Sequence, residues 1–382
     1  MQLENIKWSE DKFLKARNLV LRNTHQESII PPEQYYNTNN FALKLQTARE
    51  NGNTLIQCLV DAMDSGAAAD SELYCISEKS ISQNKLKPYA NMCFQTILDH
   101  SDNKLFMEYG ISSGFTSFLG GWISQCLFGS IQDKEAYYVD WQYCDRLAGY
   151  YEEKGLMVNR EFIIPECGRL ITPGYSNAIV LMEALQAAEQ GVKSITLSYR
   201  GTGNFIQDSA AIIALREQSG ELFRYKGYND VSITIGCYMK KNHNVTKASA
   251  VALSSYCAAV AYLTGAVKTG ITQPFISESA GAADEAIKML HSQKIHYSNE
   301  LELEITAIKL ETKLIMDKVG QQGERDMPVE ICKALSEGLL DISSAEIVML
   351  SDKSIRYLNF GNIPVNYELK CYNKKKLKEN IL

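Results

Sequence analysis

The chain has 382 residues, 45% hydrophobic and 22% charged, with a net charge of −6 and a pI near 5.6. This is ordinary globular composition, long enough for one large barrel or two smaller domains. The acidic balance argues against a nucleic-acid surface, and the one basic cluster, Lys374-Lys375-Lys376 with Lys378, reads as solvated tail.

The opening MQLENIKWSEDKF carries charges where a secretory leader needs an apolar core, and residues 1–52 read as a helical lead-in. From about residue 53 short β-rich runs alternate with helical patterns. The candidate strands are TLIQCLV (54–60), ELYCIS (72–77), KLFMEYG (104–110), EFIIPE (161–166), SITLSYR (194–200), VSITIGCY (231–238) and AVKTGIT (266–272). The alternation predicts a parallel sheet, and seven runs plus an ill-defined stretch around 131–139 predict a TIM-type (β/α)8 barrel over residues 53–297. A doubly wound sheet is the alternative, but no GxGxxG follows the first strand.

Within DWQYCDRLAGYYEEKGLMVNRE (140–161), Asp140 is placed to cap a helix. Trp141, Cys144, Leu147, Ala148 and Tyr151 make one buried stripe, Glu152, Glu153 and Lys154 face solvent, and Gly155 ends the helix. A second helix runs from about Ser176 to Gln190 and stops at Gly191. After SITLSYR, Asn204 and Gln207 have capping-box spacing. The free amides and glycines of Thr202-Gly203-Asn204 would suit a phosphate or a polar cofactor edge, against the plainer reading of a tight turn. Ala248 to Val267 is uncharged, rich in Ala and Ser and flanked by lysines, so it reads as a buried helix entering a strand rather than a membrane span. Residues 298–320 and 327–341 are amphipathic helices of a C-terminal extension and tail, 298–382, packed outside the barrel. The ten cysteines, scattered from Cys58 to Cys371 without a CxxC pair, suit reduced thiols in the cytoplasm and disfavour a disulfide framework or a structural zinc.

Several of these segments resemble one known family. DWQYCDRLAGYYEEKGLMVNRE, SNAIVLMEALQAAEQGVKSIT (176–196), GNFIQDSAAIIALREQ (203–218), YKGYNDV (225–231), ELEITAIKLETKLIMDK (302–318) and RYLNFGNIP (356–364) look like the epsilon subunit of glutamate mutase, also called methylaspartate mutase. Gly120-Gly121-Trp122 resembles a short family motif. The resemblance is strong over residues 140–364 and weak before 135. It implies a barrel enzyme that converts L-glutamate to L-threo-3-methylaspartate with adenosylcobalamin. The cobalamin would be carried by a separate sigma-type subunit through a DxHxxG motif, two epsilon chains pairing with two carriers. None of the histidines at 25, 100, 243, 291 and 296 stands in such a motif, which fits an epsilon-type chain.

Glutamate has two carboxylates, and arginine meets a carboxylate bidentately. The family uses three such arginines, yet this chain has none between Arg49 and Arg146. The corresponding positions fall at Leu59, near Ser82 and near Glu108, and the carboxylate that holds the substrate amino group falls near Cys126. Tyr109 reads as a pocket or packing residue. Residues 51–139 hold ten acids and five lysines, a field that repels a dicarboxylate. Lys85 and Lys87 are point charges near the second arginine position. On the cofactor side, a family lysine position reads Thr272, and a family loop is reduced to DISSAE (341–346).

Three readings follow. One is a cobalamin-dependent mutase subunit with an altered substrate, in which Glu108 binds a cation. The second is a non-catalytic barrel homologue acting as a scaffold. The third, a barrel hydrolase using Asp61 and Glu108, has no spacing that singles out an acid/base pair.

Overall fold

The computed structural model describes residues 27–30, 55–58, 93–98, 103–112, 116–128, 131–155, 157–165, 170–239, 246–270, 275–291, 293–320, 327–340 and 346–359. In chain order the elements are β1 (Glu27–Ile30), β2 (Leu55–Cys58), β3 (Cys93–Ile97), α1 (Asn103–Ser112), β4 (Ser117–Leu119), α2 (Trp122–Phe128), α3 (Lys134–Glu153) and β5 (Asn159–Phe162). There follow α4 (Pro173–Glu189), β6 (Ser194–Gly201), α5 (Phe205–Tyr225), β7 (Ser232–Met239), α6 (Lys247–Thr264), β8 (Lys268–Gly270) and α7 (Ile276–Met289). The last elements are α8 (Asn299–Gly320), α9 (Met327–Ser336), β9 (Glu346–Met349) and β10 (Ile355–Asn359).

This is an α/β fold built on a curled parallel sheet. Each strand from β1 to β8 pairs with the next, and β1 also pairs with β8. The longest register, β6 on β7, runs from Ser194↔Ser232 to Gly201↔Met239. The strand β1 lies inside the stretch read as a helical lead-in. KLFMEYG is not a strand but most of α1. Among its described side chains Asn103, Met107, Glu108 and Ile111 are buried, a helical spacing that a short apolar run does not betray. The strands there are β3 and β4, both missed, while ELYCIS lies outside the described residues. β5 begins two residues before the expected EFIIPE, and β6, β7 and β8 lie within or close to their expected runs.

The segment with the densest side chains is the helix it was read to be, with an earlier start. Asp133, not Asp140, caps α3, accepting the Ala136 amide at 2.9 Å, and Asp140 pairs with Lys104 on α1. Its expected stripe, Trp141, Cys144, Leu147, Ala148 and Tyr151, is buried. The uncharged run is α6, opened by a Thr246/Ser249 capping box and closed by Gly265 at φ +77°, where a left-handed residue is required. Among the described residues no helix is long and apolar enough to cross a membrane.

Helix α4 is buried from Pro173 to Ala188 because it lies between the sheet and α8, which packs across α4 and α5. The C-terminal extension is not helical throughout. β9 and β10 form an antiparallel hairpin seated on the start of α5. There Gln207 holds Ile355 through both its amide and its carbonyl, and Arg356 forks onto Glu304 at 2.7 and 3.2 Å.

Behind the sheet, outward-facing Arg160 of β5 organises the end of β4. It pairs with Asp145 at 2.6 Å and donates to the carbonyls of Phe118 and Gly120, with its guanidinium between the rings of Trp141 and Phe162. Beside it, Glu183 accepts the Ser124 amide and hydroxyl at the start of α2, and burial lifts its carboxyl to about 7. A Cβ on Gly121 would overlap that carboxylate, which explains the second glycine of Gly120-Gly121-Trp122.

Candidate functional site

Alternate residues of a strand face opposite sides of the sheet, so every second residue of β3 to β8 looks into the curl. The inward residues are polar to an unusual degree and lie in layers. In the lower layer Asn159 accepts from Ser117 at 3.1 Å and donates to Ser194 and Thr196, and Thr196 meets Thr234 at 2.8 Å.

The next layer, in the C-terminal half of β5, centres on Glu161, which is fully buried. One carboxylate oxygen accepts the Gln95 amide at 2.6 Å and forms an ion pair with Lys268. The other accepts the Ser198 hydroxyl at 2.6 Å and the Tyr238 hydroxyl at 2.9 Å. Four strands, β3, β6, β7 and β8, thus supply donors to one acid. Gln95 also donates to Ser117 at 2.7 Å, tying the two layers together. Burial first, and then the Glu161 charge, push the Tyr238 hydroxyl well above its usual range, so it stays protonated and donates. Two glycines make room for this. A Cβ on Gly236 would collide with the Ser198 hydroxyl, and one on Gly270 would lie 2.6 Å from the Tyr238 ring.

A buried ion pair contributes little net stability, because desolvation of both charges offsets their attraction. Placing one inside the sheet, where it adds little stability, marks this layer as the candidate site. One layer further on, Arg200 of β6 faces the same way, its guanidinium carbon 5.8 Å from the centre of the Tyr238 ring.

The residues singled out from sequence that the structure describes are not in this layer. Leu59, Ser82, Lys85, Lys87, Asp61 and Thr272 lie outside the described residues. Glu108 sits on α1 and accepts the Tyr143 hydroxyl of α3, so it braces two helices. Tyr109 lies on the same helix. Cys126 is buried on α2, its thiol pushed up to about 12 by burial and then by the nearby Cys332. The amides of Thr202 and Gly203 are not free. Asp208 accepts them at 3.0 and 2.9 Å, while the Thr202 hydroxyl and the Asn204 side-chain amide donate to the carbonyls of Lys353 and Asp352 in the hairpin. Asn204 does cap α5, accepting the Gln207 amide at 2.8 Å, but the Gln207 side chain turns to Glu304 and Ile355 instead of closing the box. What sequence reasoning missed is Gln95, Glu161, Ser198, Tyr238 and Lys268. Its available signal was a charge at an inward position of two β-rich runs, Glu161 and Lys268.

A family model described as methylaspartate mutase E chain matches residues 82–381, more than half of the sequence. The chain belongs to that family. Among its relatives, the glutamate mutase epsilon subunit of Yersinia enterocolitica is 36% identical over 285 residues, which is 69% of this chain and 59% of that one. The glutamate mutase epsilon subunit of Treponema denticola is 36% identical over 299 residues, 73% of this chain and 62% of the relative. This member of the methylaspartate mutase E chain family therefore spans about three-fifths of the length of the curated relatives it matches. Among solved structures, the spore coat polysaccharide biosynthesis protein spsE of Bacillus subtilis aligns at a TM-score of 0.42 and 9% identity, covering 72% of each chain, a likeness too slight to carry weight.

Proposed function

We propose that the chain is the substrate-binding E-type subunit of an adenosylcobalamin-dependent carbon-skeleton mutase, and that its curled sheet is a (β/α)8 barrel of the TIM type. The single observation that carries this reading is the Glu161–Lys268 pair, buried among Gln95, Ser198 and Tyr238 in the C-terminal half of the sheet interior. Such a layer fixes the floor of a pocket rigidly, which radical chemistry needs so that a reactive substrate keeps one orientation. Family membership supports a separate cobalamin-carrying subunit with a DxHxxG motif as the partner.

The residues first considered for the cofactor do not fit it. Thr202, Gly203 and Asn204 already give their donors to Asp208 and to the hairpin carbonyls, so no step is routed through that loop. When bound, adenosylcobalamin would supply a carbon radical by homolysis of its cobalt–carbon bond. The part of this chain is to hold the substrate and exclude water, over a floor in which Tyr238 is fixed by its hydrogen bond to Glu161.

Glutamate is not the substrate this reading favours. Residues 50–145 contain no arginine to meet a second carboxylate. The test is incubation of the chain with a cobalamin-loaded carrier and L-glutamate, followed by chromatography for 3-methylaspartate. The expected result is no conversion of glutamate, and turnover at a rate typical of enzymes would overturn the altered substrate. The scaffold reading is favoured by one feature, the hairpin covering the loop at 202–204. A chain that binds no small acid under any condition would point to it.

A further inference from the structure

We propose that Cys237 and Cys257 are a redox couple, two thiols that close to a disulfide on oxidation by a peroxide and so bolt α6 to β7 behind the Glu161 layer.

The two residues meet across the seam between sheet and helix. Thr234 and Tyr238 of β7 reach inward, to Thr196 and to Glu161, so Cys237 has the opposite parity and faces the helices. α6 packs on β7 and buries Ala250, Ser254, Cys257, Ala258 and Ala261, small side chains that let the helix come close to the strand. Cys257 lies in the third turn of that helix. Its thiol donates to the Cys237 carbonyl at 3.3 Å, and the two Sγ atoms are 3.5 Å apart, in van der Waals contact. A disulfide needs about 2.05 Å, a closure that small rotations of the two side chains supply. The other described cysteines, Cys126, Cys144 and Cys332, belong to α2, α3 and α9.

The chemistry balances with the peroxide alone. One thiol gives up its proton and its sulfur attacks a peroxide oxygen, which breaks the O–O bond and leaves a sulfenic acid and a water. The second sulfur displaces the sulfenic hydroxyl, which leaves as a second water with the proton of the second thiol. The two sulfurs lose two electrons between them, and the peroxide gains both. Burial sets the rate. Neither side chain is exposed, so little thiolate forms and oxidant enters only when the α6–β7 seam opens. The same seal keeps reductants from the closed bond, so the couple answers sustained oxidation. Its consequence is local. Gly236, next to Cys237, pairs in register with Lys268, and Tyr238 follows directly, so the bolt holds β7 where it meets the Glu161 layer.

The test uses the full chain alone, folded, with millimolar hydrogen peroxide. Remaining thiols are then alkylated, and the chain is digested and mapped by mass spectrometry. The expected result is a peptide linking Cys237 to Cys257 that dithiothreitol separates. The oxidised chain should melt about 3 °C or more above the reduced one, because the link closes a loop in the unfolded chain. Cys257→Ser should abolish both the linked peptide and the rise. Should Cys257→Ser fail to fold, the linked peptide of the unaltered chain decides the matter. The proposal is overturned if both cysteines are recovered alkylated, if either links elsewhere, or if their link forms only in urea. It is equally overturned if the oxidised chain melts no higher than the reduced one, or if Cys257→Ser keeps the rise.

Discussion

Replacing Arg160 by Met is the perturbation whose cost can be worked most fully from the structure. The substitution keeps most of the side-chain volume but leaves Asp145, 5% exposed, without its partner at 2.6 Å. Breaking a buried pair by removing one member costs about 3–5 kcal/mol. The carbonyls of Phe118 and Gly120 also lose donors, at about 1–3 kcal/mol each, and the contact with the rings of Trp141 and Phe162 adds up to about 2. These costs overlap, so about 5 kcal/mol is the sensible total, comparable with the entire stability of many domains. With a urea slope of about 2.5 kcal/mol per molar, the unfolding midpoint falls by about 2 M. The loss also grows with pH. Burial outweighs Arg160 in raising the Asp145 carboxyl above its ordinary 3.8, so its charged form opposes folding, and without Arg160 that opposition strengthens as pH climbs past the unfolded value. Urea titrations followed by tryptophan fluorescence at pH 5 and pH 8 measure both effects. A midpoint shift below about 0.3 M, or one larger at pH 5 than at pH 8, would refute the reasoning.

Glu183, lifted by burial from 4.5 to about 7, stabilises the fold fully below about pH 4.5 and loses that contribution as pH rises through 7, a swing of about 3 kcal/mol. Glu183→Gln should flatten this part of the dependence of melting temperature on pH, and an unchanged slope would contradict the assignment. Asp208→Asn removes the acceptor either of the Thr202 amide or of the Gly203 amide and the Tyr256 hydroxyl together, at about 1–3 kcal/mol, and should speed hydrogen exchange of at least one of the two amides. Unchanged protection would mean that the hairpin alone holds the loop. Glu108→Gln keeps an acceptor for Tyr143, so it should cost no more than about 1 kcal/mol and leave carboxylate affinity unaltered. A loss of affinity would return Glu108 to the pocket.

The second half of the fold was legible because its signals agree. SITLSYR is a β-rich run of alternating polar and apolar residues between Gly191 and the Gly201–Gly203 turn, and the α3 stripe repeats at helical spacing over three turns. The first half was not, for physical reasons. In CFQTI the central inward residue is Gln95, a side chain chosen for Glu161 and not for a hydrophobic face. The strand SFL is three residues long and shows no period at all. α1 presents apolar side chains in a run short enough to pass for a strand. The site was missed for a related reason. Its donors come from four strands that lie far apart in sequence, so Glu161 and Lys268, 107 residues apart, become partners only once the sheet curls. The loop at 202–204 was read correctly as a helix start, but nothing local reveals that Asp208 and a hairpin about 150 residues away take up its donors.

The measurement that tests the central claim most directly is a titration of the purified chain with a cobalamin-loaded DxHxxG carrier, following the visible spectrum of the cobalamin and the heat of binding. An E-type subunit predicts a saturable complex at about micromolar concentration, with a spectral change that the carrier alone does not show. No complex at tens of micromolar would contradict the mutase role and leave the barrel as a scaffold.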